Sequence, residues 1–185
     1  MSNSTRNASK RALLKSAATV LARNPGSSLS DIAAQAGVGR ATLYRYFPSR
    51  DELVRELALE AMEEIDRVTE RVRRQNLPSQ AALLAFLEEV VPLGDRFHFL
   101  VSESVAYTDP DIAAAYTRQM SELDEFVTTL KQDGVLGLDI PNAWVTSAID
   151  ALIWAAWSSV DTGYIARKDA AVFVYRTLIK GLAPS

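Results

Sequence analysis

The sequence predicts an all-α fold in which an N-terminal three-helix unit is followed by a larger helical region. Apolar residues recur every three or four positions in most segments, and Gly, Pro and Asn separate these segments. No segment shows the strict alternation of apolar and polar residues that is typical of a strand. A length of 185 residues with 48% apolar residues leaves room for two helical units, each with a core.

The first helix is predicted to follow a polar start of the chain. Residues 1–9 are polar and weakly basic without apolar periodicity, so we expect an irregular N-terminal arm there. Leu13, Ala17 and Leu21 then recur at helical spacing until the breaking sequence of residues 24–26, Asn-Pro-Gly. This pattern predicts one helix that supports the elements after it.

Two short helices joined by a tight turn are predicted next. Ser28 and Asp31 have the spacing of a capping box at the start of the second helix. Gly37 stands where a residue with positive φ would end that helix, and the third helix carries Leu43 and Phe47 four residues apart on one side. Helix, glycine turn and short aromatic helix at this spacing are typical of a helix-turn-helix.

The outward face of the third helix combines guanidinium groups with phenol and threonine hydroxyls. Such groups suit phosphate oxygens and the edges of bases. The residues are Arg40, Ala41, Thr42, Tyr44, Arg45 and Tyr46. The alternative is a solvated helical face without a partner, and for Tyr44 a ring packed beneath the helix with only its hydroxyl exposed.

The uneven distribution of charge favours a nucleic-acid partner for this face. Residues 1–50 contain eight Lys or Arg and one acidic residue, a net charge of +7, whereas residues 51–75 carry −3 and residues 76–185 carry −7. The whole chain has a net charge of only −3. A basic end on an acidic body directs the encounter with DNA through that end.

Residues 36–53 read A-G-V-G-R-A-T-L-Y-R-Y-F-P-S-R-D-E-L, and this run closely resembles the recognition segment of TetR-type (TetR/AcrR) bacterial transcriptional regulators. The detailed resemblance covers residues 10–57, and the remainder matches in length and helical pattern. Gly39 departs from the Ser or Thr that commonly caps this helix in the family, but glycine is a tolerable cap. The resemblance implies a DNA-binding transcriptional regulator, usually a repressor, that a small-molecule effector releases from its operator.

The same resemblance implies which side chains contact double-stranded DNA. The residues expected to contact backbone phosphates are Ser28, Thr42, Tyr46 and Arg50. The residues expected to face base edges in the major groove are Arg40, Ala41, Tyr44 and Arg45. Arg40 is the best candidate for reading guanine, because Arg pairs bidentately with guanine O6 and N7.

A long helix is predicted to connect the DNA-binding region to the rest of the chain. Pro48 ends the third helix, and Ser49 with Glu52 forms a second capping box before a helix that runs to about Arg74. The sequence Asn-Leu-Pro-Ser of residues 76–79 is the clearest boundary after it. We therefore expect a helix-turn-helix domain in residues 1–50, a connecting helix in 51–75 and a helical ligand-binding and dimerisation domain in 76–185.

Five helical segments are predicted in this last region, over residues 81–91, 97–106, 110–132, 142–162 and 169–182. The last two are more apolar than one core-facing stripe requires, which favours a two-fold four-helix interface between protomers over helices that only fill a monomer's core. The residues expected at the interface are Ala148, Ala151, Ala155, Ser159, Phe173, Tyr175, Leu178 and Ile179. A homodimer would read a palindromic operator with half-sites about one helical turn apart.

An effector pocket is implied by the resemblance rather than by spacing. Aromatic and soft apolar side chains in the C-terminal region suit a pocket between helices, although core packing has the same composition. The candidates are Phe97, His98, Tyr107, Tyr116, Met120, Trp144 and Trp154. The resemblance further implies that the effector changes the separation of the two DNA-binding regions through the connecting helix.

Several classes of function find no support in the sequence. Cysteine is absent, His98 is the only histidine, and neither a glycine-rich phosphate loop nor a nucleophile elbow is present, so we expect no enzyme, metal or cofactor. The lack of a signal peptide or membrane-length apolar run leads us to expect a cytoplasmic protein with no membrane partner. The alternative function is a helical small-molecule or partner-binding protein whose basic N-terminus does not read operator DNA.

Overall fold

The computed structural model describes the backbone of residues 3–182 and the side chains of residues 9–181, and this part of the chain is all-helical. No strand occurs in that range, so the predicted fold class is confirmed. The α-helices are α1 (Asn3–Arg23), α2 (Leu29–Gln35), α3 (Arg40–Tyr46), α4 (Arg50–Arg74), α5 (Ser79–Val90), α6 (Gly94–Phe97), α7 (Val105–Thr108), α8 (Pro110–Gln132), α9 (Asn142–Asp161) and α10 (Arg167–Leu182). Within the described helices, none has the length and apolar character needed to cross a bilayer.

The chain forms two compact units, each built from two separate stretches of the sequence. The first unit comprises Met1–Ala61 together with Phe99–Ala113, and the second comprises Met62–His98 together with Ala114–Ser185. Helix α4 therefore begins in the first unit and continues into the second, and residues 99–113 belong to the same unit as α1 to α3 although they lie far along the chain. The expected boundaries at residues 50 and 75 stay a prediction.

The N-terminal end of α1 lies where an irregular arm is expected. The helix begins at Asn3, while Met1 and Ser2 lie outside the described residues. The start of the chain lacks apolar periodicity, yet residues 3–23 contain no Pro or Gly to interrupt a helix. Further along, Ala17 and Leu21 are fully buried, as the spacing predicts.

The helix-turn-helix is shaped by local sequence signals. The Ser28 and Asp31 capping box is present at the start of α2, and Gly37 has φ of 67° in the turn that follows. That left-handed backbone is strained for residues with a Cβ, which explains the glycine. Leu43 and Phe47 are fully buried together, so the opposite face of α3 points outward.

Helices α5, α9 and α10 form most of the core of the second unit, with the end of α8. Trp157 on α9 packs directly on Gly94 of α6, where a Cβ would overlap the indole ring. The predicted helix over residues 97–106 is instead broken into 3-10 turns over His98–Ser102 and the short helix α7. The Ser102 hydroxyl donates to the Phe99 carbonyl at 2.9 Å, and such local hydrogen bonds compete with regular helix.

Candidate functional sites

The exposed face of α3 carries the side chains predicted to contact DNA. Arg40, Ala41 and Arg45 are exposed, and Tyr44 is 46% exposed, so its ring is not packed beneath the helix. Arg40 and Arg45 form no ion pair with any described side chain, whereas the guanidinium of Arg45 lies 5.4 Å from the ring centroid of Tyr46. Two guanidinium groups are therefore available for an anionic partner on barely two turns of helix.

Thr42 and Tyr46 are half-buried at the edges of this face, beside the buried Leu43 and Phe47. The N-cap of α3, Gly39, makes no side-chain hydrogen bond, as its lack of a hydroxyl requires. The nearest side-chain atom to a Cβ built at Gly39 would be the Thr42 hydroxyl, at an ordinary contact distance of 3.9 Å. Gly39 has no hydroxyl, so Thr42 supplies the hydroxyl group near the N-terminus of α3.

Ser28 at the start of α2 is exposed but engaged in its own cap. Its hydroxyl lies 2.6 Å from Oδ2 of Asp31 and accepts from the Asp31 backbone N–H at 3.2 Å. Hydrogen bonds from the Ser28 hydroxyl and backbone lower the pKa of Asp31, with a smaller contribution from the positive charge of Arg40. The cap therefore keeps a negative charge beside the basic face and orders the N-terminus of α2.

The side chain of Arg50 is bound to the protein rather than directed to solvent. Its Nη1 and Nη2 donate to the two carboxylate oxygens of Glu103 at 2.8 and 2.6 Å. Nη2 also donates to the carbonyl of Pro25 at 2.6 Å, and Nε donates to the carbonyl of Ser27 at 3.2 Å. The hydrogen bond with Glu103 raises the pKa of Arg50 above its already high ordinary value. Four of the five N–H groups of this guanidinium thus have partners within the protein, and the phosphate contact expected of Arg50 stays a prediction.

A second arginine of α4 binds the same distant segment. Arg55 Nε donates to Oδ2 of Asp109 at 2.6 Å, and Nη2 pairs with Asp111. The other oxygen of Asp109 accepts from the backbone N–H groups of Asp111 and Ile112, at 3.0 and 3.1 Å, at the start of α8. The hydrogen bond from Arg55 lowers the pKa of Asp109. No spacing in the sequence predicts these pairs, because the partners lie more than 50 residues apart.

In the second unit, Asp150 of α9 contacts Tyr116 and Trp154, two of the candidate effector residues, although no motif in the sequence marks it. The Tyr116 hydroxyl donates to Asp150 Oδ2 at 2.9 Å, and the Trp154 side chain hydrogen-bonds the same carboxylate. No cation of the described chain pairs with it, and burial raises the pKa of Asp150 against the opposing effect of these hydrogen bonds. An acid within an otherwise apolar helical segment was the available sequence signal.

The other candidate effector residues differ in their burial. Trp154 stacks edge-on against Trp157, with ring centroids 4.7 Å apart, and Met120 is half-buried in the same unit. Phe97 is fully buried. Trp144 and Tyr107 are about two-thirds exposed, at 65% and 64%, and Tyr107 belongs to the first unit, where its hydroxyl donates to the Val101 carbonyl.

His98 lies at the end of α6 as a half-buried residue. Its Nδ1 is 3.8 Å from Oδ2 of Asp161, a contact that becomes an ion pair only when the imidazole is protonated. Within the described part of the chain, no three His, Asp or Glu side chains converge in a way that would hold a metal ion. His98 is therefore a half-buried residue whose imidazole lies beside a single carboxylate.

The residues predicted at a dimer interface differ in their exposure. Ala151, Ala155 and Phe173 are exposed, while Leu178 is fully buried in the core of its own chain and is not available to a partner. The others are half-buried, namely Ala148, Ser159, Tyr175 and Ile179. Tyr175 also accepts a hydrogen bond from Gln80 at 2.8 Å. Most of the exposed residues of α9 are thus small, and Phe173 is an exposed aromatic residue of α10.

Comparison with known proteins agrees with this architecture. Residues 13–57 match the family model described as bacterial regulatory proteins, tetR family. The transcriptional repressor LfrR of Mycolicibacterium smegmatis is 32% identical over 164 residues, which cover 89% of this chain and 82% of the relative. The transcriptional regulator NfxB of Pseudomonas aeruginosa is 25% identical over 171 residues and covers 91% of both. The crystal structure of LfrR in complex with proflavine has a TM-score of 0.80 at 30% identity and covers 96% of this chain and 98% of that one.

Proposed function

We propose that this protein is a homodimeric repressor that binds a palindromic operator and is released from it by an organic cation. The chain belongs to the TetR family of bacterial transcriptional regulators, and its helix-turn-helix reads DNA. The observation that carries the DNA-binding part is the exposed face of α3, with Arg40 and Arg45 unpaired in an otherwise acidic protein. Because its partner is chromosomal DNA, the proposed place of action is the cytoplasm.

Each side chain on the face of α3 has a distinct role in this proposal. Arg40, Ala41, Tyr44 and Arg45 face the bases, and Arg40 reads guanine through a bidentate contact. Thr42 and Tyr46 at the edges donate their hydroxyls to phosphates, as does Ser28 once its hydroxyl turns from Asp31. The buried side chains of Leu43 and Phe47 fix the rotation of α3 about its axis. All of these residues can therefore contact DNA with the helix in one orientation.

Dimerisation supplies the length of operator that a seven-residue recognition helix cannot read alone. The proposed interface is the exposed stripe of α9, with Ala151 and Ala155 at its centre and Phe173 of α10 beside it. Small residues allow close approach of helices, and the aromatic ring supplies buried area. Leu178 is excluded because it already packs inside its own chain.

The effector class is proposed from the chemistry of Asp150. A half-buried carboxylate that receives only neutral donors gains more from a cationic ligand than a fully solvated acid does, because screening by water is weaker there. Tyr116 and Trp154 place aromatic surface beside the charge, and Trp154 in turn packs against Trp157. LfrR, which shares this fold, binds proflavine, a flat aromatic cation. We therefore assign a planar organic cation to this site.

Release from DNA requires only that the effector favour one arrangement of the dimer. A ligand that binds the DNA-incompetent state more tightly shifts the equilibrium by that difference in affinity, and tenfold release needs a difference of about 1.4 kcal/mol. Helices α4 and α8 each continue from the first unit into the second, and they provide the covalent connection between the two activities.

The proposal is tested by following the anisotropy of a labelled mixed-sequence duplex as salt and then proflavine are added. Binding of a DNA reader should weaken steeply with salt, because neutralised phosphates release counterions. Proflavine should then displace the protein from the same labelled duplex, after correction for dye bound to DNA alone. Binding that is indifferent to salt would favour the partner-binding alternative, and DNA binding unaffected by proflavine would remove the assigned effector class.

A further inference from the structure

We propose that Glu103 is a positioning residue for DNA binding, and that Arg50 acts by holding the turn before α2 rather than by contacting a phosphate. This proposal rests on the proposed reading of DNA by α3. It assigns the segment Phe99–Ala113 to the DNA-binding machinery, although that segment lies about 50 residues beyond the helix-turn-helix.

The first argument is the hydrogen-bonding capacity of Arg50. A guanidinium has five N–H donors, and four of them are used here, two by Glu103 and one each by the carbonyls of Pro25 and Ser27. The one remaining N–H, on Nη1, cannot make the paired contact with which Arg binds phosphate. Phosphate binding would therefore require Arg50 to leave several short hydrogen bonds.

The second argument is what these bonds connect. Pro25 and Ser27 lie in the turn between α1 and α2, Ser27 is almost fully buried, and the next residue, Ser28, is the N-cap of α2. Arg50 itself is the first residue of α4. Its side chain thus ties the entry of α2 to the start of α4, and the position of α2 in turn sets that of α3.

The third argument concerns the role of the carboxylate. Glu103 is only 12% exposed and meets the guanidinium with both oxygens, which fixes its plane as well as its position. Arg55 makes one ion pair with each of Asp109 and Asp111, and these two pairs hold the far end of the segment to α4. Three side chains of the segment Phe99–Ala113 are buried, namely Phe99, Leu100 and Ile112. The segment is therefore packed into the first unit.

The test compares Glu103→Gln with Glu103→Asp and with a matched control, Glu89→Gln. Glu89 forms an equally short pair with Arg71 at 2.6 Å, but in the second unit. For each protein, hydrogen exchange of the amides in residues 29–46 is measured without DNA. The affinity for a mixed-sequence duplex is measured over a range of salt, and Arg50→Ala and the double variant are included.

In Glu103→Gln we expect faster exchange in residues 29–46 and about tenfold weaker DNA binding with the wild-type salt dependence, because no phosphate contact is lost. Glu103→Asp should recover part of both effects, since it restores the charge. Glu89→Gln should change neither. The double variant should bind no more weakly than Arg50→Ala alone, because the two residues act through one contact.

Three results would overturn the proposal. The first is a rate of amide hydrogen exchange in residues 29–46 of Glu103→Gln that equals the wild-type rate. This result would overturn the proposal even if the variant no longer bound DNA, because exchange is measured on the free protein. The second is equal or tighter DNA binding by that variant, as expected if Glu103 merely competes with phosphate for Arg50. The third concerns the slope of the logarithm of the DNA-binding constant against the logarithm of the salt concentration. A slope that is less steep in Arg50→Ala by about 0.9 per protomer would indicate a lost phosphate contact. Failure of the wild-type protein to bind any duplex would instead refute the proposed function.

Discussion

Replacement of Asp150 by Asn removes the charge that we assign to effector binding while it preserves the size of the side chain. The amide oxygen still accepts hydrogen bonds from Tyr116 and Trp154. Opposite unit charges about 4 Å apart attract by about 4 kcal/mol at an effective dielectric constant of about 20. Desolvation of the ligand offsets part of this attraction, so we expect Asp150→Asn to cost about 1–3 kcal/mol, or about 5- to 150-fold in the Kd of a cation.

The assay is a fluorescence titration of proflavine into the purified protein, repeated with acridine, which has the same ring system without the amino groups and is uncharged at neutral pH. Wild-type protein should bind the cation more tightly than the neutral ring, and Asp150→Asn should abolish that preference. The control is Asp161→Asn, an exposed acid three turns further along α9. A preference for the cation that survives in Asp150→Asn would refute the assignment of the charge to Asp150.

The pH dependence of cation binding follows from the same site. Burial raises the pKa of Asp150, so its carboxyl becomes neutral at a higher pH than an ordinary aspartate. The affinity of wild-type protein for proflavine should therefore fall as the pH is lowered through a value above the usual aspartate range, where proflavine itself remains charged. Asp150→Asn should show a flat profile over the same interval.

Three further changes test the DNA-binding face, the dimer and the packing. Arg40→Ala should relax base preference at one position of the half-site by about 1–3 kcal/mol, measured by competition between duplexes that differ at that base pair; unchanged discrimination would show that another residue reads it. Ala155→Glu should shift the protein from dimer to monomer in analytical ultracentrifugation, whereas a persistent dimer would move the interface away from α9. Gly94→Ala should lower the free energy of unfolding by about 1–3 kcal/mol because its Cβ meets the Trp157 indole, and an unchanged Tm would contradict this packing.

The helix-turn-helix could be predicted from the sequence because its signals are local. The cap at Ser28, the glycine in the turn and the buried pair Leu43 and Phe47 all depend on neighbours within a few residues. Those signals also fix the outward face of α3, so Arg40 and Arg45 are exposed as predicted. Short-range sequence signals are therefore sufficient to predict the three helices and the outward face of α3.

The tertiary contacts of α4 and α10 could not be predicted in the same way. Arg50 has the sequence position of a phosphate contact, but its orientation depends on Glu103, whose proximity arises only when the chain folds. On α10, apolar residues occur on more than one face, so spacing alone did not distinguish the buried Leu178 from the exposed Phe173. The environment of Asp150 likewise depends on Tyr116 from another helix, at a separation of 34 residues.

The central claim, that a dimer of this chain reads an operator through α3, is tested most directly by selection from a random duplex library at moderate salt, followed by sequencing. We predict enrichment of a palindrome whose half-sites lie about one helical turn apart. Arg40→Ala should enrich the same palindrome with one degenerate position in each half-site. Enrichment of no sequence above non-specific binding, or of a single asymmetric site, would contradict the account of a two-fold operator reader.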